Sequence, residues 1–361
     1  MKTNLINTKF LSIYICSIAL MTLLPSCSEK GDSNVLILGS TVKDTAEVLL
    51  PESMDFDIPV SANDIYIWND SIAIVHNRPL EDIWFLELYN LNDGKLMKHF
   101  IRRGNGPGEM LDNNFIFYND TIVITDFQKD HIAIIPVAEA TGNNSYTPGF
   151  RSYSVRSQYI LPFKGKLIAL NPYCFINKEY GISNDGSRYI VSDSNYVYEE
   201  ATEYIHDTYN VSFSRFFISY LNDRIVFTDK REPKIEICDT DFNLIKTVLG
   251  PDMQGTQKYR IEEDGDVIFV NTIPMVYTSH CYNDEYFYVC YNGDFLSYKN
   301  DFDYSALKSW VLKFDWDGNF IDSYYMDHCI KSMSLSNDGR YIYAFGMDPD
   351  GESVLYKYLL E

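Results

Sequence analysis

Hydrophobic residues in this chain come in short bursts rather than in long helical stripes. NDTIVITD, residues 119 to 126, and NDRIVFTD, residues 222 to 229, agree at six of eight positions. Each opens on an Asn-Asp pair and runs into a segment rich in Ile, Val, Phe and Thr. NDSIAIVH from Asn69, NDGSRYIVSD from Asn184, NDEYFYVC from Asn283 and NDGRYIYAF from Asn337 are looser versions. An apolar or aromatic segment also precedes most of them: DIYIW, NFIFY, FFISYL, MVYTSHCY and MSLS. Asn and Asp tolerate left-handed backbone angles, and β-branched and aromatic side chains suit a pleated surface, so the pattern predicts β-hairpins.

A second set of turns follows the first, around Asp93-Gly94, Asp241 and Asp317-Gly318, each again between two strand-like segments. Two hairpins per unit predict a four-stranded antiparallel sheet. Units begin near residues 65, 115, 159, 217, 276 and 333, a period of roughly 45 to 60 residues that falls in the range of propeller blades. The third is the least regular, with Lys164-Gly165-Lys166 as its first turn. The expected fold is all-β: a six-bladed β-propeller with four-stranded antiparallel blades. Surplus strand-like residues in VLILGSTVKDTAEVLLP, residues 35 to 51, predict that a strand from this early segment pairs with the last blade and removes an open edge. The 29 tyrosines and 22 phenylalanines fit such a β-rich interior.

NDTIVITDFQKDHIAII, in which an apolar strand ends in Val-x-x-Asp before a polar loop and an Ile-rich strand, resembles the repeat of NHL-type propellers. NDRIVFTDKREPKIEIC repeats it with Asp229, YIVSDSNYVY offers Asp193 in the same place, and the first unit departs from it with His76. With the R-G-x-G-P-G-E segment at residues 103 to 109 and the leader described next, the chain is similar to the TolB-like six-bladed β-propeller lipoproteins of bacteria.

Lys2 and Lys9 precede an uncharged run from Phe10 to Leu24, the layout of a secretory signal peptide. The run is shorter than the about 20 apolar residues of a stable spanning helix. It closes on Leu24-Pro25-Ser26-Cys27, which resembles the lipobox of bacterial lipoproteins, with Pro25 a departure at −2. The resemblance implies acylation of Cys27 and removal of residues 1–26. Residues 27–34 would then be a polar tether and residues 35–361 a single propeller domain, lipid-anchored outside the cytoplasm. Ser28 after the cysteine, where some inner-membrane lipoproteins carry Asp, favours the outer membrane. Loss of the leader takes the formal net charge from −21 to about −23, an excess that argues against nucleic acid or an anionic lipid surface as the main partner.

Seven cysteines include Cys16 in the leader and Cys27. The other five, Cys174, Cys238, Cys281, Cys290 and Cys329, form no CxxC pair and are expected to be mostly reduced and buried. A turn at Asn283-Asp284 would set Tyr277, rather than Cys281, opposite Cys290.

IRRGNGPGEM, residues 101 to 110, matches neither the dinucleotide loop nor the P-loop. It is read as the connector that turns the chain from the rim of one blade back to the axis, with Arg102 and Arg103 paired to nearby carboxylates. Gly31-Asp32-Ser33 lies in the tether, no G-x-S-x-G elbow exists, and the six histidines are scattered without metal-ligand spacing. The acidic groups EEDGD, from Glu262, and DWDGN, from Asp315, read as Asp-Gly turns rather than calcium loops. Asp126, Asp193 and Asp229 read as carboxylates that accept backbone amides. No metal or cofactor is expected.

These features favour a membrane-anchored binding or scaffold module for a protein or glycan partner. The alternative is an extracytoplasmic lyase or hydrolase acting on a glycan or peptide, its acid and base drawn from different blades. The candidate ligand contacts lie in NGDFLSYKNDFDYSALKSW, residues 292 to 310, where Phe295, Tyr298, Phe302 and Tyr304 interleave with Asp294, Asp301 and Asp303. Long loops on rigid scaffolds are where binding concentrates. The competing reading is that these aromatics fold back over a blade edge.

Overall fold

The computed structural model describes residues 34–54, 56, 62–77, 84–111, 114–118, 120–126, 128–129, 131–142, 146–152, 159–163, 166–170, 188–192, 198–202, 214–219, 221–229, 233–241, 243–252, 259–261, 267–269, 275–294, 307–348 and 350–360. Leu36 to Glu361 make one compact unit. Among the described residues six blades of four antiparallel strands succeed one another in it, the first five with those four strands in chain order. Blade 1 comprises Ala62–Trp68, Ile72–Asn77, Trp84–Asn90 and Leu96–Arg102. Blade 2 comprises Asn114–Tyr118, Thr121–Asp126, His131–Pro136 and Phe150–Ser152. Blade 3 comprises Tyr159–Phe163, Lys166–Leu170, Arg188–Ser192 and Tyr198–Thr202, and blade 4 Ser214–Ser219, Arg224–Asp229, Lys234–Asp239 and Leu244–Leu249. A small hairpin, Tyr259–Ile261 with Val267–Phe269, precedes blade 5, which holds Met275–Tyr282, Tyr286–Asp294, Ser309–Asp315 and Phe320–Met326. Blade 6 holds Cys329–Leu335, Tyr341–Met347 and Ser353–Leu359, and takes its fourth strand, Pro51–Met54, from the other end of the chain.

Closure therefore comes from the N-terminal segment, but from its last residue onward. Pro51 to Met54 pair antiparallel with Tyr358 to Leu355, and Pro51, lacking an N–H, suits the first position of an edge strand. The residues expected to close the ring instead brace the two preceding blades. Val35–Ile37 adds a fifth strand to blade 4, and Leu38 N–H donates to Leu249 O at 2.7 Å. A helical turn, Thr41–Asp44, follows, and Ser323 Oγ of blade 5 donates to Val42 O at 2.6 Å. Glu47 and Val48 then run parallel to Tyr324 and Tyr325.

First strands of adjacent blades are stitched together by hydroxyls. Ser332 and Ser334 of blade 6 accept the N–H groups of Ile65 and Ile67 of blade 1 at 3.0 and 2.9 Å. Ser279 of blade 5 accepts Met333 N–H of blade 6 at 2.9 Å. These strands line the axis.

The core consists of slabs between blades. In Ile72–Asn77, Ile72 and Ile74 pack toward blade 2 while Ala73 and Val75 pack toward blade 6. A strand apolar on both faces shows no alternation in sequence, which is why the hydrophobic bursts look continuous.

Three of the described Asn-Asp turns use the left-handed backbone expected of them, with φ +49° at Asn69, +48° at Asp70, +54° at Asp120 and +50° at Asp223, whereas Asn283-Asp284 and Asn337-Asp338 do not. The second set works differently. Asp239, Asp315 and Asp348 each accept backbone N–H groups two and four residues ahead, at 2.8 to 3.0 Å. DWDGN is thus a turn, with Asn319 Nδ2 also donating to Asp315 at 2.8 Å; EEDGD lies outside the described residues.

Two expectations need correction. Arg188–Ser192 is the third strand of blade 3, paired with Lys166–Leu170 and Tyr198–Thr202, whereas the strand ending in Asp126 is a second strand; Asp193 itself lies outside the described residues. Opposite Cys290 sits Ser279, not Tyr277. Three residues, Asn283 to Glu285, separate the two strands there, Asn283 Oδ1 accepts both Glu285 and Tyr286 N–H groups, and bulges shift the register further. Cys238, Cys281, Cys290 and Cys329 are buried; Cys174 lies outside the described residues.

Candidate functional site

The topology gives the disc two faces. Innermost strands begin, and second strands end, on one of them, here called the mouth face. The Asn-Asp turns and the second-hairpin turns occupy the opposite, turn face, where they lock neighbouring blades: Asn222 Nδ2 donates to Asp284 O at 3.1 Å, and Arg224 reaches Asp317 at 3.1 Å.

The glycine-rich stretch lies on the mouth face, between blades 1 and 2. Its interior is occupied by its own acid: Glu109 Oε2 accepts Gly106 N–H at 2.8 Å, and Arg102 stands 3.6 Å from Oε1. Lys129 donates to Gly104 O and Glu109 O at 2.7 and 3.0 Å. Gly108 supplies a φ of +78°. Beside it, the buried Asp126 accepts Leu111, Gln128 and Lys129 N–H groups at 2.7, 3.0 and 3.1 Å. Connector and carboxylate thus serve as scaffolding, as the sequence suggests. Asp229 is likewise buried at the end of its strand.

Three innermost strands carry β-bulges near their mouth ends: blade 1 between Ala62 and Asp64, blade 5 on either side of Tyr277, and blade 6 between Ile330 and Ser332. Bulges re-aim side chains and concentrate next to functional sites. Blades 5, 6 and 1 are consecutive around the ring, so the bulges fall in one arc of the mouth. In blade 1, Asp64 Oδ2 lies 3.3 Å from His76 Nδ1 and accepts from Asn63 Nδ2 at 2.5 Å. The His76 ring is buried and stacks on Phe115 of blade 2 at 5.0 Å. His76, the departure from the repeat, thus meets a carboxylate of its own blade.

Between blades 5 and 6 the buried Asn292 is a hub. Its Oδ1 is 3.0 Å from Ser309 Oγ, which also lies 2.8 Å from His328 O and accepts Ile330 N–H at 3.0 Å. Thr278 Oγ1 donates to Ile330 O at 3.1 Å. His328 packs on Tyr356 with ring centroids 4.1 Å apart, and burial holds its imidazole below the ordinary histidine value, against the opposing pull of Asp327. Lys308 pairs with Asp327 at 2.5 Å. Burial pushes the Cys290 thiol up to about 12, the Cys329 thiol to about 11, and Cys281 well above the usual range. None is a ready nucleophile.

Asn292 and Ser309 stand at the mouth-face ends of the second and third strands of blade 5, on either side of residues 295–306 in the sequence. Phe295, Tyr298, Phe302 and Tyr304 lie outside the described residues, as does Cys27. Sequence reading passed over Asn292, Asn63 and Lys331. Only Asn292 left a signal, as the polar residue that ends the apolar YFYVCY run. Bulge positions have no such mark. Among the described residues no group of three or more His, Cys, Asp or Glu side chains is placed to hold a metal ion.

A solved structure of a DUF4221 family member from Bacteroides vulgatus is similar at a TM-score of 0.54 with 10% identity, over 87% of this chain and 97% of that one. A Bacteroides fragilis protein described as exported is similar at 0.51 with 10% identity, over 91% and 99% of the two chains. At that identity the likeness concerns the fold. No curated protein matches the chain. The model of the TolB-like six-bladed propeller family matches residues 45–338, and with six four-stranded blades closed by their N-terminal strand, the chain belongs to that family.

Proposed function

We propose that the protein is an extracytoplasmic binding or scaffold module, tethered through acylated Cys27 to a bacterial membrane, most simply the outer one. Its mouth face recognises a protein or glycan partner, with Phe295, Tyr298, Phe302 and Tyr304 as contact residues. The observation that carries this reading is the position of the loop's roots. Asn292 and Ser309 are tied to each other and to blade 6 beside the bulged arc, so an aromatic and acidic loop springs from a rigid base. Aromatic rings give large contact area at low conformational cost. The leader sequence and the exported relative support the location.

The test compares intact protein with a variant lacking residues 296–306, in pull-downs from solubilised membranes and on a glycan array. The reading predicts loss of the partner with a melting temperature within a few degrees of wild type, since a solvent-facing loop contributes little to the core. A partner retained equally by both would overturn it.

The enzymatic alternative has one observation in its favour, the Asp64–His76 pair at the mouth. A carboxylate that orients an imidazole is a common acid-base element. Turnover of a glycan or peptide that is abolished in His76→Gln at unchanged stability would establish it.

A further inference from the structure

Two groups at the seam of blades 6 and 1 lack a polar partner among the described residues. Asn77 ends the second strand of blade 1, is 0% exposed, and among the described residues neither its Nδ2 nor its Oδ1 has a hydrogen-bond partner. An amide sealed from water without partners costs about 1–3 kcal/mol per unpaired group, so a native protein that keeps one calls for a reason. Ala73 and Val75 face blade 6, and by strand alternation Asn77 faces it too. Lys331 is the bulged residue on the facing innermost strand. It is partly buried, and its ammonium lies 5.7 Å from the Phe345 ring. Among the described residues no carboxylate pairs with it, in a chain with 51 acidic and 30 basic residues. Burial also holds its ammonium below the ordinary lysine value.

The register brings the two to the same end of the seam. Ser332, adjacent to Lys331, is bonded to Ile65 N–H and pairs with Phe345. Phe345 packs in one cluster with Ala62, the cross-strand partner of Asn77. One side of the seam thus offers a cation and the other an amide that can donate and accept at once.

We propose that the mouth of the seam between blades 6 and 1 binds an acidic sugar, a hexuronate, through Lys331 and Asn77. The carboxylate pairs with the Lys331 ammonium, and a ring hydroxyl accepts from Asn77 Nδ2 while a hydroxyl donates to Oδ1. A neutral sugar leaves the ammonium unpaired, and a simple anion leaves the amide half satisfied. Because Asn77 is sealed from solvent, the mouth of the seam opens to admit the ligand, so association is slower than for a preformed pocket. This site is separate from the 295–306 loop. It deepens the glycan branch of the proposed function, and it stands or falls without the loop.

The experiment is calorimetric titration of the detergent-solubilised full chain with galacturonate, with galactose and with N-acetylalanine as comparison ligands. Galacturonate is expected to bind more tightly than galactose. Lys331→Met is expected to weaken galacturonate about tenfold or more, the worth of a charge-assisted hydrogen bond, and to erase its advantage over galactose. Asn77→Leu is expected to weaken both sugars while its melting temperature stays level or rises. No galacturonate binding by the wild type, or equal binding by Lys331→Met, overturns the site. Equal binding of N-acetylalanine overturns the sugar assignment in favour of a peptide carboxylate. A clear fall in melting temperature of Asn77→Leu overturns the premise that the amide does nothing for the fold.

Discussion

Leu49 and Leu50 are neighbours in the chain and opposites in the fold, and they test the docking of the N-terminal strap directly. Leu49 is 4% exposed and packs in the cluster of blades 5 and 6 with Tyr324, Met326, Tyr358 and Leu360, whereas Leu50 is 82% exposed. Leu49→Ala removes three buried carbons and leaves a gap that the rigid blade edges fill poorly. Core Leu→Ala changes cost about 2–5 kcal/mol. Leu50→Ala deletes the same atoms from solvent and should stay within about 0.5 kcal/mol of wild type. Both variants change the unfolded chain in nearly the same way, so denatured-state effects cancel in the difference. Guanidinium denaturation followed by tryptophan fluorescence, with slopes compared, reads it out. The strap account expects a gap of at least about 1.5 kcal/mol between the two variants. Equal losses, or a larger loss at Leu50, would refute the packing of the strap across blades 5 and 6.

Other outcomes follow from single contacts. Asp126→Ala strands three backbone amides and should destabilise by about 1–3 kcal/mol for each one left dry, with Asp126→Asn milder because one acceptor oxygen remains; denaturant midpoints decide this. His328 has a folded pKa below its unfolded value of 6.5, so its stabilising contribution is present above pH 6.5 and is lost as pH falls toward the folded value. The loss between neutral and mildly acidic pH should be smaller in His328→Gln, as measured by melting temperature against pH. Cys238, Cys281, Cys290 and Cys329 should resist maleimide in the native state and react after unfolding, as read by peptide mass spectrometry. Cys27→Ala should take up no radioactive fatty acid and leave the membrane fraction; wild-type protein without label would contradict the anchor.

The legible part of this fold was its punctuation. Asn-Asp pairs mark first hairpins for two reasons: Asn69-Asp70, Asp120 and Asp223 adopt left-handed angles that these residues tolerate, and Asn283 and Asp338 accept backbone amides ahead of them with their side chains. Asp315 and its relatives mark second hairpins because one carboxylate can hold two amides. What deceived was repetition out of register. Asn184-Asp185 precedes a strand like the others, yet Arg188–Ser192 is a third strand, because only pairing partners, which are non-local, distinguish a second strand from a third. The arrangement at the mouth was hidden for the same reason. Lys331 and Asn63 matter through bulges, and Asn77 through the blade it faces, and no local pattern encodes either. The role of Glu109 in filling its own loop was half visible, since the acid is part of the motif but its contact with Gly106 N–H is geometric.

The central claim, recognition through the mouth face, is tested most directly by photo-crosslinking in cells. A photoreactive phenylalanine analogue at Phe302 and at Tyr304 samples the mouth loop, and the same residue at Asp284 and at Asp317 samples the turn face. The account predicts a discrete crosslinked adduct from the first pair and none from the second. Adducts confined to Asp284 or Asp317, or equal from both faces, would contradict it.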